Sequence, residues 1–175
     1  MVGGTMPNSL IIVSDHLSTR AVGAYGESSW ADTPNIDRIA ERGVVFENMY
    51  TSCPLCAPAR ASFWTGRFPH DTGVLSNGLR ADGPDILPNS NVPEDMPTIG
   101  ESFKNAGYQT IHFGKCHDSG GLRGFEIAPD GKRESEHVPV GYPENNDTWK
   151  DHWAMDRFVE WTEDGFPDPF CCVVD

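Results

Sequence analysis

Short apolar runs alternate with amphipathic, capped segments along the chain. Ser9 to Val13 (SLIIV) is apolar and β-branched and ends at the polar Ser14-Asp15-His16. It reads as a buried strand of a parallel sheet. Tyr108 to Lys115 (YQTIHFGK) and Phe170 to Asp175 (FCCVVD) read as two further strands, and Val44 to Thr51 (VVFENMYT) as an extended stretch. A helix is expected in TPNIDRIAERG. Thr33 can cap it, Pro34 suits its first turn, Ile36, Ile39 and Ala40 share a face, and Gly43 stops it. Ala57 to Gly66 has helical composition. Thr98-x-x-Glu101 is a capping box opening a helix with Ile99, Phe103 and Ala106 on one side, ended by Gly107. Trp149 to Trp161 spaces Ala154, Met155 and Phe158 as a helix does. Phe68 to Met96 is loop-like, with turn signals at Asn77-Gly78 and Asp82-Gly83-Pro84. Asp118 to Thr148 is a long polar excursion rich in Gly and Pro.

Strands alternating with helices predict an α/β fold with a mainly parallel sheet flanked by helices. Such sheets bind ligands beyond the carboxyl ends of their strands. Asp15-His16 ends one strand and Lys115-x-His117 another, so two polar clusters are candidates for one site.

Composition narrows the functional classes. The 175 residues carry 26 acidic and 13 basic side chains, a formal net charge of −13. That balance argues against a nucleic-acid or anionic-membrane surface, while a few local cations could still receive an anionic substrate. No run approaches the ~18 apolar residues of a membrane span. Met1 to Asn8 has neither a basic start nor an apolar stretch, so no signal peptide is read. The five cysteines (Cys53, Cys56, Cys116, Cys171, Cys172) are an odd set, two of them adjacent, which suits a reducing cytoplasm better than a disulfide framework.

The candidate chemistry centres on Cys56-Ala57-Pro58-Ala59-Arg60. A cysteine at a helix start, four residues before an arginine, is a position where both the helix terminus and Arg60 favour an anion. A buried structural cysteine fits the same residues. Cys53-x-x-Cys56 also has the spacing of a redox dithiol or half a zinc site, but no second pair completes the latter. Lys115 and His117 would project from one face of a strand, with Cys116 turned to the core. Asn77, before Gly78, fits a turn or a substrate contact. His70 fits a loop or a pocket wall. Asp15 fits a capping carboxylate or a hard-cation ligand.

CPLCAPARASFWTGRFPHDTGV (Cys53 to Val74) resembles the signature of the type I sulfatases, formylglycine-dependent members of the alkaline-phosphatase-like superfamily. The motif Cys-x-Pro-Ser/Ala-Arg, followed by Thr-Gly, stands here as Cys56, Pro58, Ala59, Arg60, Thr65 and Gly66. LIIVSDH, TPNIDRIAERGVVFENMYT and GESFKNAGYQTIHFGKCH resemble three other family blocks, in the family's order, so the resemblance spans about residues 8 to 117. It implies an alkaline-phosphatase/sulfatase-like fold and oxidation of Cys56 to Cα-formylglycine by a separate maturation enzyme. It further implies a divalent metal, Ca²⁺ first, with Mn²⁺ or Mg²⁺ as alternatives. Asp15 matches a metal-ligand carboxylate. His16 stands where many relatives have a second Asp, which makes it a ligand or a sulfate contact and leaves the metal's identity open. Cys56, once converted, would itself touch the metal.

The activity implied is hydrolysis of a sulfate monoester, on a small molecule or a saccharide. The hydrated aldehyde at position 56 would supply the nucleophile, Arg60 would stabilise it, and Lys115 and His117 would clamp the sulfate oxygens. Asn77 matches the neighbourhood of a substrate-side polar residue. The alternatives are a phosphonate monoester or phosphodiester hydrolase of the same superfamily, and a non-catalytic remnant or interaction module. Family members are longer and carry a second acidic metal-ligand pair after the segment seen here. Residues 1–175 are therefore expected to be the N-terminal portion of one catalytic domain, its sheet incomplete and cut at Asp175.

Overall fold

The computed structural model describes residues 6–26, 30–77, 91–117, 119–128, 150–163 and 165–175, with side chains of 150–153 left aside. The turn signals at 82–84 and most of the 118–148 excursion lie outside these residues. Two compact units emerge: residues 1–13 with 52–175, and Ser14–Thr51.

Among the described residues the larger unit is built on four parallel strands in the order β1-β4-β2-β3: β1 Ser9–Ile12, β2 Gln109–Phe113, β3 Glu126–Ile127, β4 Phe170–Val174. β4 pairs with β1 from Ser9↔Cys171 and with β2 from Gln109↔Phe170. The apolar FCCVV run is thus a central strand, and every residue of it is buried. Alternation sends Cys171 and Val173 to one face, where they pack with Trp64, Leu122 and Phe125, and Phe170, Cys172 and Val174 to the other, with Phe113, Phe158 and Trp161. Apolar packing on both faces is what an uninterrupted apolar strand needs.

β1 departs from its expected burial. It sits at one edge of the described sheet, with Ile11 and Val13 against the core but Leu10 and Ile12 exposed. Composition alone cannot separate an edge strand from a central one. β3 was missed because only two residues pair, within a segment that reads as polar; Leu122, Phe125 and Ala128 around it are buried.

The helices follow their signals. α2 (Cys56–Thr65) ends at Gly66 in the left-handed region, and α4 (Ile99–Asn105) carries the complete capping box of Thr98 and Glu101. α5 (Lys150–Glu163) lays Phe158 and Trp161 on the sheet and leaves Met155 exposed. A one-turn helix, α3 (Pro69–Thr72), interrupts the expected loop, started by Pro69 and closed by Gly73. No helix among the described residues is long and apolar enough to cross a membrane.

The Ser14–Thr51 unit holds α1 (Pro34–Arg42), with two short 3-10 turns before it. Thr33 occupies the N-cap, but its hydroxyl accepts no main-chain N–H from the helix's first turn. It accepts the Gly23 N–H at 3.0 Å and donates to Asp37, whose carboxylate accepts the Ala24 N–H at 2.8 Å. A Cβ at Gly23 would overlap that carboxylate. Val44 to Thr51 forms no strand; the chain turns at Glu47-Asn48 and leaves Val44, Phe46 and Tyr50 exposed.

Candidate functional site

Within the larger unit, four of the expected residues gather where β2 and β4 end and α2 begins. Cys56 is the first residue of α2 and is half-buried. The Lys115 ammonium lies 3.9 Å from its Sγ. Lys115 arrives there from beyond the strand. β2 stops at Phe113, and Gly114, at φ 104°, turns the chain. A Cβ at Gly114 would overlap the Asp175 carbonyl oxygen, so glycine is required where the two strand ends meet. The expected alternation survives without a strand: Cys116 is buried, and Lys115 and His117 are half-buried.

Asn77 joins this corner. Its Oδ1 accepts the Ala57 N–H at 3.0 Å, and its main-chain carbonyl lies 3.2 Å from His117 Nε2. His70 is elsewhere, exposed on α3 and stacked on Phe68.

Arg60, one turn along α2 from Cys56, is buried, and its guanidinium forms a two-pronged ion pair with Asp175: Nη1 to Oδ2, and Nη2 to Oδ1 at 2.8 Å. The side chains are 8% and 1% exposed. His112, fully buried in β2, turns Nε2 toward the same carboxylate at 3.9 Å, beyond hydrogen-bond length. Its Nδ1 lies 3.9 Å from the Cys116 sulfur. Burial pushes the Asp175 carboxyl up, but His112 and the Arg60 guanidinium outweigh it and hold the group below the usual carboxylate value. The Asp175 main chain also accepts the Lys115 N–H at 3.3 Å and donates to the Phe113 carbonyl at 3.0 Å.

Asp175 and His112 are the residues that sequence reasoning passed over. A signal for Asp175 existed: it is a carboxylate directly after an apolar parallel strand, the same pattern that singled out Asp15. His112 carried none, because a histidine inside a strand looks like any half-buried polar residue.

Asp15 and His16 belong to the Ser14–Thr51 unit, where they form an exposed turn directly after β1 and Val13. His16 holds φ 58°, a left-handed backbone that non-glycine residues rarely adopt. As donors, an exposed carboxylate oxygen suits a hard cation and the imidazole a softer one.

The fold and this corner define a class. The family model Sulfatase matches residues 7–168, and the chain belongs to that family. It is 41% identical over 172 residues to the Delta 4,5-hexuronate-2-O-sulfatase of Bacteroides thetaiotaomicron, covering 97% of this chain and 33% of that protein. The solved structure of a 2-O GAG sulfatase superimposes with a TM-score of 0.77 at 41% identity, over 97% of this chain and 34% of that one. A phosphonate monoester hydrolase of Agrobacterium radiobacter shares the fold, with a TM-score of 0.70 at 21% identity over 96% of this chain and 40% of that one. The chain thus spans about a third of the length of the sulfatases it resembles here.

Proposed function

We propose that this chain is the N-terminal portion of a single sulfatase catalytic domain, and that the whole protein hydrolyses a sulfate monoester on a saccharide. The proposed substrate is a 2-O-sulfated unsaturated hexuronate, supported by the 41% identity to a relative named for that activity. The observation that carries the reading is the ammonium of Lys115 at 3.9 Å from the Cys56 sulfur, at the start of a helix. A cation and a helix N-terminus converging on one side chain suit a group that carries oxygen and handles an anion.

Cys56 is the proposed site of formylglycine, made by a maturation enzyme; hydrated, that group supplies the oxygen nucleophile. The residues present fit it. Lys115 would hold a sulfate oxygen beside position 56 and balance its charge as the ester bond breaks. His117 would move a proton at the same edge. Arg60, its guanidinium plane fixed by Asp175, supplies a permanent positive charge one turn along the helix. Asp15 and His16 are the proposed metal donors, with Ca²⁺ first; such an ion polarises the sulfate and its nucleophile when bound.

The test begins with the peptide Gly43 to Arg60 after co-expression with a formylglycine-generating enzyme. Conversion lowers its mass by about 18 Da, while Cys53 in the same peptide keeps its thiol. Sulfate release from 2-O-sulfated unsaturated uronides by the gene's full-length product is then compared with hydrolysis of aryl phosphonate esters. An unchanged peptide mass, or preferential turnover of the phosphonate, overturns the assignment.

A further inference from the structure

α2 begins without a cap of its own. The first amide groups of a helix have no partner within it and normally take one from an N-cap side chain. The N-cap here is Leu55, whose side chain has no acceptor atom, and no side-chain cap bond is made from it. Asn77 supplies the acceptor instead, from 20 residues along the chain: its Oδ1 receives the Ala57 N–H at 3.0 Å. The same residue's carbonyl oxygen faces His117 Nε2 at 3.2 Å. One residue therefore fastens the backbone beside Cys56 to the ring of His117.

The second bond also selects a tautomer. A carbonyl oxygen can only accept, so Nε2 must carry the proton. In the neutral ring the lone pair then sits on Nδ1, which becomes the nitrogen able to take a proton.

We propose that Asn77 is a positioning residue: it caps the helix that starts at Cys56 and locks His117 as the Nε2–H tautomer, so that His117 acts through Nδ1. This rests on the reading of Cys56 and His117 as catalytic groups, and it gives the Asn77 side chain a partner other than substrate. The carbonyl that faces His117 is main chain, but it is held in place through the side-chain bond to Ala57. Removing that side chain frees the carbonyl and, with it, the ring.

The experiment is nitrogen-15 NMR of the histidine-labelled full-length gene product at a pH of about 8, where an ordinary imidazole is neutral; His117→Gln assigns the signals. In the parent chain His117 is expected to show a protonated Nε2 and an unprotonated Nδ1, well separated. Asn77→Asp keeps the acceptor oxygen and is expected to keep that separation. Asn77→Ala is expected to lose it, the two nitrogens drifting toward a common tautomer-averaged position. The buried His112 ring reports whether each variant is folded. A parent His117 protonated on Nδ1 overturns the proposal. So does an Asn77→Ala spectrum like the parent's, or an Asn77→Asp spectrum like that of Asn77→Ala in a folded chain. None of these readings involves sulfate turnover or oxidation of Cys56, so they stand or fall separately from the proposed activity.

Discussion

The two cysteine pairs of this chain occupy contrasting environments. Cys171 and Cys172 lie side by side in β4, wholly buried, one on each face of the sheet. Burial pushes the first thiol up to about 11; burial, with Cys171 beside it, pushes the second up to about 12. Cys56 opens α2 and Cys53 lies three residues before it, both half-buried, with Lys115 against the Cys56 sulfur. The same side chain is apolar filling in one place and a chemical group in the other. The difference comes from what surrounds it: packed hydrocarbon in the sheet, and a helix terminus with an ammonium at its edge.

The contrast can be broken most severely at Trp64 and Asp175. Trp64 fills the core against Cys171 and Val173, so Trp64→Ala should cost about 3–5 kcal/mol in urea unfolding. Asp175→Ala removes the carboxylate that pairs with the buried Arg60 guanidinium and should cost a similar ~3–5 kcal/mol. If the second change proves neutral, the corner at the end of β4 is not the closed ion pair described above.

Lys115→Ala should separate chemistry from stability. Sulfate-ester turnover by the full-length product is expected to fall by about 10²–10³-fold. The unfolding free energy should move by no more than about 0.5 kcal/mol. Equal losses in both measurements would assign Lys115 to the scaffold.

The Asp175 carboxyl also sets an acid limb. Its folded value is depressed, so its contribution is complete above the unfolded carboxylate value of about 4 and is lost as pH falls through the folded value. Asp175→Asn should therefore flatten the fall in urea midpoint as pH drops below about 5. A wild-type slope retained in this variant would place the titrating group elsewhere. The mildest probe is alkylation. Iodoacetamide at about pH 8 should label Cys53 and Cys56 in the native chain and reach Cys171 and Cys172 only after unfolding. Uniform labelling would erase the comparison.

Much of this was legible in the amino-acid pattern. The capping box at Thr98, Pro34 at the head of α1 and the stops at Gly43 and Gly66 are local signals, each satisfied by residues a few positions apart. The Cys56-to-Arg60 motif and the Lys115-x-His117 pair were legible for the same reason. The edge position of β1 in the described sheet was not, because Leu10 and Ile12 look like core until the strand order is known. Thr33 was assigned to cap α1, yet its hydroxyl bonds to Gly23 and Asp37, a choice made by a turn ten residues earlier. Asp175 was read as the tail of a strand, since its partners Arg60 and His112 are 115 and 63 residues away along the chain.

Sequence alone determined the longer helices and the three apolar strands, that the strands run parallel, and which family the chain belongs to. These follow from periodicity, caps and a contiguous motif, all short-range. Tertiary structure decided that β4 is central, that Asp175 meets Arg60, and that Asn77 reaches both Ala57 and His117. Those outcomes depend on which strand ends lie side by side, and side-chain bonds that span distant parts of the chain exist only once the sheet has brought them within about 3 Å.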